Sequence, residues 1–268
     1  MHVKTPEAIK QIEKGGKIIG KLLARLMKMC RPGVSTWDID QAAEKMLIKA
    51  GGLPSFKGYR GGQGDKPFPS TICASLNNQL VHASASPSVF LRNGDIFSID
   101  IGMEWPHKKN YRGFFTDTSV TIPIGHIPDN VKELLRVTRQ ALYVGIRAAK
   151  PGKTISDIGQ AIENYVKSQG KYGIVRDLVG HGVGYEVHEE PRIPNFFDKG
   201  LQNWKLEPGM VLAIEPMISL GDYRVKTAAD GWAIETADGS LCAHFEHTII
   251  ITKTGNKIAT LRPEEKIK

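Results

Sequence analysis

Leu91-Arg92-Asn93-Gly94-Asp95-Ile96-Phe97-Ser98-Ile99-Asp100-Ile101-Gly102 is a turn followed by an apolar, strand-like run with one carboxylate inside it. An unpaired carboxylate among isoleucines is costly, so Asp100 calls for a basic side chain or a metal ion. The chain then repeats the arrangement. Leu206-Glu207-Pro208-Gly209-Met210-Val211-Leu212-Ala213-Ile214-Glu215 matches it with Leu91 on Leu206, Gly94 on Gly209, Ile99 on Ile214 and Asp100 on Glu215, always 115 residues apart.

A second acidic strand follows each copy. Asp117 lies in Phe115-Thr116-Asp117-Thr118-Ser119-Val120-Thr121-Ile122, and Glu246 in Phe245-Glu246-His247-Thr248-Ile249-Ile250-Ile251. Packed face to face, the two units would bring four carboxylates together, and such a group repels itself unless cations sit within it.

The helices repeat as well. Arg31-Pro32-Gly33 through Glu44 aligns with Lys150-Pro151-Gly152 through Glu163 at an offset of 119, with Pro, Gly, Asp, Ile, Gln, Ala and Glu coinciding. Two copies are too few for a solenoid. The expectation is one α/β domain over 1–268, with repeated halves of about 5–125 and 126–260 and the site between them.

Local signals fill in the elements. Thr5-Pro6-Glu7 starts a helix expected over Pro6–Met29, through Gly15-Gly16. Ser35 or Thr36 caps a second over Trp37–Lys49, Asp129 a third over Asn130–Ala149, and the fourth covers Ile155–Gln169. Lys57–Pro69, rich in Gly and Pro, reads as a loop that can wall a pocket. Ser70–Val81 reads as a strand–turn ending at His82, Met103–Phe114 as a long polar hairpin tip, Lys253–Asn256 as a turn, and the basic tail as mobile.

A hydrophobic content of 41% and a charged content of 24% describe an ordinary globular chain. The net charge of +8 is too small for a nucleic-acid-binding tail and excludes specific DNA binding as the leading reading. Three cysteines (Cys30, Cys73, Cys242) without a Cys-x-x-Cys pair argue against a disulfide framework and for a reducing, cytoplasmic setting. No apolar run approaches the ~18 residues of a membrane span. Glu7 and Glu13 speak against a transit peptide.

Gly180-His181-Gly182-Val183-Gly184-Tyr185-Glu186-Val187-His188-Glu189-Glu190-Pro191 is the second informative stretch. Glycines around His181 let another strand or a ligand approach. A lone histidine is more often structural than a ligand; four acids elsewhere in the chain reverse that expectation.

Together, Ile-Asp-Ile-Gly at Asp100, Thr-Asp-Thr at Asp117, Gly-His-Gly-Val-Gly at His181, Ile-Glu-Pro-Met at Glu215 and Phe-Glu-His-Thr at Glu246 resemble the type I methionine aminopeptidases. The likeness runs from about Thr5 to Thr260. It implies the α+β pita-bread fold, two pseudo-twofold halves on a curved antiparallel sheet around a dinuclear metal site. It also implies that Asp100, Asp117, His181, Glu215 and Glu246 hold two divalent ions. Carboxylates with one imidazole suit Co, Mn, Fe or Zn. Activation of a shared water is the chemistry of two-metal hydrolases. By the same resemblance His82, His188 and Glu215 are catalytic, His82 and His188 face the substrate as non-ligand histidines, and Phe68, Cys73 and Trp232 lie at the pocket that takes its first side chain. His244, where the family pattern suggests Gln, is expected to lean on Glu246.

The implied activity is removal of initiator methionine from nascent chains with a small second residue, by a cytoplasmic monomer, with the basic surface available for a transient ribosome contact. A proline-selective peptidase of the same fold is the alternative. Glu215-Pro216-Met217 and Glu246-His247-Thr248 depart from the Glu-Pro-Gly and Glu-Asp expected there.

Overall fold

The computed structural model describes residues 3–61 and 66–265. The helices are α1 (Pro6–Met27), α2 (Thr36–Lys49), α3 (Asp129–Ala148) and α4 (Ile155–Gln169). The strands of the first half are β1 (Leu53–Pro54), β2 (Ile72–Leu76), β3 (Gln79–Val81), β4 (Ile96–Trp105) and β5 (Phe114–Pro123). Those of the second are β6 (Gly173–Ile174), β7 (Gly180–Gly182), β8 (Glu189–Ile193), β9 (Val211–Ile214), β10 (Met217–Ser219), β11 (Val225–Thr227), β12 (Ile234–Thr236), β13 (Cys242–His244), β14 (His247–Ile251) and β15 (Asn256–Ile258).

Helix starts follow the capping signals, with one exception. Thr5 accepts the Ala8 amide, Ser35 the Asp38 amide, and Thr154 with Asp157 forms a reciprocal capping box. The expected cap of α3 is corrected: Asp129 is its first helical residue, and Pro128 stands at the cap position without a side-chain bond. Gly15-Gly16 does not break α1, and the reason is packing. A Cβ on Gly16 would lie 2.6 Å from Ala259 O, and one on Gly20 2.7 Å from Thr260 O. These glycines let the C-terminal segment lie against the helix.

The strand pairs are antiparallel. Two sheets carry the duplicated motif: β5–β4 with β2 and β1 on the far edge of β4, and β15–β14–β9–β7–β8. Two three-stranded sheets, β13–β10–β6 and β11–β12–β3, connect around them, so the expected curved sheet is interrupted into four hydrogen-bonded pieces. The turns entering β4 and β9 match in detail. Gly94 and Gly209 have φ of +98° and +97°, a conformation that favours glycine.

Strand β4 is buried over most of its length on both faces. Ile99 and Ile101 join the main core with Leu22 and Leu23 of α1 and Leu134 and Leu142 of α3. Because side chains alternate along a strand, Asp100 points away from those helices. The helices cover one side of the sheets and the acids gather on the other.

Two boundaries differ from expectation. The β4–β5 ladder continues to Trp105 opposite Phe114, because Met103 and Phe115 are buried, so the hairpin tip is 106–113. The tail is not loose through its described part: Thr260, Arg262 and Glu265 are buried. Residues 62–65 of the Gly/Pro-rich loop and the last three residues lie outside the described residues. Among the described residues no helix is long and apolar enough to cross a membrane.

Candidate metal centre and cavity

Asp100 sits in mid-β4, paired in register with Cys73 of β2 on one side and Ser119 of β5 on the other. Asp117 lies opposite Gly102 on the same ladder. Glu215 follows the last residue of β9, and Glu246 precedes the first of β14. His181 is the central residue of β7 and pairs with Ala213 of β9. All five line one cavity of about 370 Å³.

Their ligating atoms form overlapping sets within 4.8 Å. One set is Asp100, Asp117 and Glu246; a second is His181, Glu215 and Glu246; a third joins Asp117 and His181 to His188. Glu246 belongs to both of the carboxylate-rich sets. Asp100 and Glu215, equivalent by the repeat, stand in different sets.

The imidazole of His181 is held in one tautomer. Its Nδ1 lies 2.9 Å from Gly182 O, and a carbonyl can only accept, so Nδ1 carries the proton. Nε2 is left as a lone-pair donor, 3.5 Å from Glu215 Oε1 and 4.0 Å from Asp117 Oδ2. Fixing the ring through its other nitrogen is how metal-ligating histidines are oriented.

The electrostatics call for a cation. Asp100 Oδ1, Asp117 Oδ1 and Glu246 Oε1 are buried without a hydrogen-bond partner. Among the described residues none of the four acids pairs with Lys or Arg. Burial pushes Asp100 up to about 6 and Glu215 up to about 8, and burial with neighbouring acids raises Asp117 and Glu246 well above the carboxylate range. Burial also holds His181 down at about 3 and lowers His244, so both rings are neutral at pH 7. Uncompensated buried acids beside neutral imidazoles fit a divalent metal ion.

The cavity wall is apolar on one flank. Phe68 and Trp232 meet edge to face with centroids 5.3 Å apart, and Cys73 closes the slot beside Asp100. Burial, with Asp100 and Asp117 nearby, raises the Cys73 thiol well above its usual value. His82 and His188 line the other flank. His82 has φ of +59°, a strained backbone for a non-glycine residue, and burial lowers its ring to about 4.

Several contributors escape a reading of the sequence. Tyr59 Oη lies 3.0 Å from His188 Nδ1, and the rings meet edge-on. Asn195 Nδ2 donates to Glu215 O at 3.0 Å. Glu189 accepts the Tyr185 and Glu186 amides and pairs with the buried Lys4 at 2.5 Å, fixing the loop before His188. The expectation for His244 is corrected: its Nε2 is 3.3 Å from Glu215 Oε2. The break between β13 and β14 turns Glu246 out of the alternation that would have put it beside His244.

The chain matches the model of metallopeptidase family M24 over residues 10–253. It is 45% identical to methionine aminopeptidase 1 of Bacillus subtilis over 257 residues, 96% of this chain and 98% of that one. A crystal structure of methionine aminopeptidase from Thermotoga maritima aligns with a TM-score of 0.88 and 40% identity, over 97% of this chain and 99% of that one. The prolidase of Pyrococcus horikoshii aligns with a TM-score of 0.76 and 25% identity; the match takes in 99% of this chain but 65% of the prolidase.

Proposed function

The chain belongs to metallopeptidase family M24, and on that premise we propose that it is a methionine aminopeptidase that removes the initiator methionine from proteins. The observation that carries the reading is the juxtaposition of the acid–imidazole cluster with the slot of Phe68, Cys73 and Trp232. Asp100, Asp117, His181, Glu215 and Glu246 would hold two divalent ions, Co, Mn, Fe or Zn. When bound, these supply Lewis-acid polarisation of the scissile carbonyl and lower the pKa of water.

The chain's own groups do the rest. The slot takes the methionine side chain, whose thioether gains from aromatic edges. With Tyr59 O–H as the donor to His188 Nδ1, the tautomer this role needs, Nε2–H would be free to donate to the substrate carbonyl oxygen. His82, neutral and held by its backbone, orients the peptide. Glu215 would accept the proton given up by water, a role that needs its carboxylate form, which bound cations would favour over the protonated form that burial favours without them.

The reading takes the chain as one catalytic domain with repeated halves of about 5–125 and 126–260, a repeat supported by the matched turns at Gly94 and Gly209. We place it in the cytoplasm as a monomer, which free Cys30, Cys73 and Cys242 fit. Its partners are nascent N-termini. A groove lined by Lys17, Lys21, Arg139, Arg147 and Lys150 offers the polyanion surface for a passing ribosome contact.

The test is metal analysis of protein purified without chelator, with hydrolysis of Met-Ala and X-Pro peptides side by side. Metal-dependent cleavage of Met-Ala with little of X-Pro is expected. Preference for X-Pro would return the proline-selective alternative.

A further inference from the structure

Asp117 and Glu246 come from different sheets, and side chains stitch their backbones together. Thr248 Oγ1 accepts the Asp117 amide at 2.9 Å and donates to Asp117 O at 2.8 Å. Thr118 Oγ1 donates to Glu246 O at 2.9 Å, and the Ser119 and Glu246 backbones exchange bonds of 3.4 and 3.0 Å. This seam includes the backbones of both acids, so a shift in it moves both carboxylates.

A buried charge closes the seam from behind. Arg262 is 2% exposed, and its Nη1 donates to Thr118 Oγ1 at 3.2 Å and to Ser119 O at 3.4 Å. Its Nη2 meets Glu265 Oε1 at 2.5 Å, and Glu265 Oε2 accepts the Arg262 amide at 3.0 Å. Glu265 also takes a bond from Tyr143 of α3 at 2.8 Å and lies 3.2 Å from His247 Nε2. Thr260 Oγ1 bonds His247 Nδ1 at 2.9 Å and accepts the Thr248 amide at 3.1 Å. The network is closed, which an arginine at this depth requires.

We propose that Arg262 is a positioning residue for the metal centre: with Glu265 it clasps the β5–β14 seam and sets the approach of Asp117 to Glu246. The clasp touches neither the cavity nor the substrate. Its partners are the backbone and hydroxyl groups beside the two ligands, and partners behind ligands typically change metal affinity or activity about 10–100-fold. The proposal rests on Asp117 and Glu246 being ligands, as the preceding reading assigns them.

The experiment titrates Mn²⁺ by calorimetry into chelator-treated native protein, Arg262→Gln, Thr118→Val and a core control, Leu47→Ala. Thr118→Val removes the hydroxyl that joins Arg262 to Glu246 O and carries the test if Arg262→Gln does not fold. The clasp variants are expected to bind Mn²⁺ about 10–100-fold more weakly, with peptide turnover recovering at high Mn²⁺. Leu47→Ala is expected to lower Tm with affinity unchanged. Affinity within threefold of native in every folded clasp variant would overturn the clasp. So would an equal loss of affinity in Leu47→Ala. Native protein that binds no Mn²⁺ would instead sink the ligand assignment.

Discussion

His181 and His188 stand edge to face with ring centroids 4.5 Å apart, yet their outer nitrogens are committed differently. His181 Nδ1 is tied to a backbone carbonyl and its Nε2 faces the acids; His188 Nδ1 is tied to the Tyr59 hydroxyl. On the proposed reading, the two rings divide metal binding from substrate contact. His181→Ala is expected to lower metal content on purification. His188→Ala is expected to keep its metal and lose about 10²–10³-fold in kcat, the usual cost of one donor to a developing oxyanion. Metal analysis with steady-state kinetics decides; equal metal loss in both would contradict the division.

Substrate choice follows from the slot. Phe68, Cys73 and Trp232 offer no charge, so a Lys or Glu first residue would be desolvated at a loss. Leucine branches at Cγ and should clash where methionine is straight. Met-Gly-Gly is expected to exceed Leu-Gly-Gly by at least about 10-fold in kcat/KM, within the range one side-chain difference gives in an apolar pocket. Comparable values would end methionine selectivity and leave the aminopeptidase chemistry standing.

The metal-free protein should become less stable as pH rises above neutrality. Asp100 and Glu215 are raised by burial to about 6 and about 8, so their contribution is present at low pH and lost as pH climbs through those values. His82, His181, His188, His244 and His247, all lowered by burial, act in the opposite sense, but their contribution is nearly complete by about pH 7.5, a unit above the free imidazole value. From about pH 7.5 to 8.5 the carboxylates set the slope. Tm in EDTA is expected to fall across that window, and saturating Mn²⁺ to remove the fall. A flat or rising Tm in EDTA would contradict it.

Asp40 of α2 accepts the Thr71 and Ile72 amides at 2.7 and 3.0 Å and so anchors the start of the strand that carries Cys73. Asp40→Ala strands those buried donors, at about 1–3 kcal/mol. Denaturant unfolding should show that loss, whereas exposed Asp129→Ala should change little.

Much of this arrangement was legible because buried acids in apolar strands are conspicuous and because the motif occurs twice. Asp100, Asp117, Glu215 and Glu246 announce themselves as charges inside or at the ends of apolar, strand-like runs. The Arg262–Glu265 pair does not: two opposite charges three apart in a basic tail read as solvated, and only the close approach allowed by Gly16 and Gly20 buries them. Tyr59 sat unnoticed in a loop without periodicity. His244 and Glu246 are two apart in sequence, but the break between β13 and β14 at Phe245 and Glu246 sends the His244 ring to Glu215 instead.

Cys73 and Asp100 are register partners on one antiparallel ladder. The wall proposed to take the substrate's first side chain and the floor that gathers the acids thus meet on one rung of the same ladder. A slip of β2 by one residue would set Ile72 or Ala74 against Asp100 and turn the thiol into the helix-side core. Substitutions that repack β2 to accept a different first residue will therefore disturb the acid's own strand. Selectivity and metal chemistry are mechanically linked here, and a variant with altered selectivity would need compensating changes along β4 as well as in the slot.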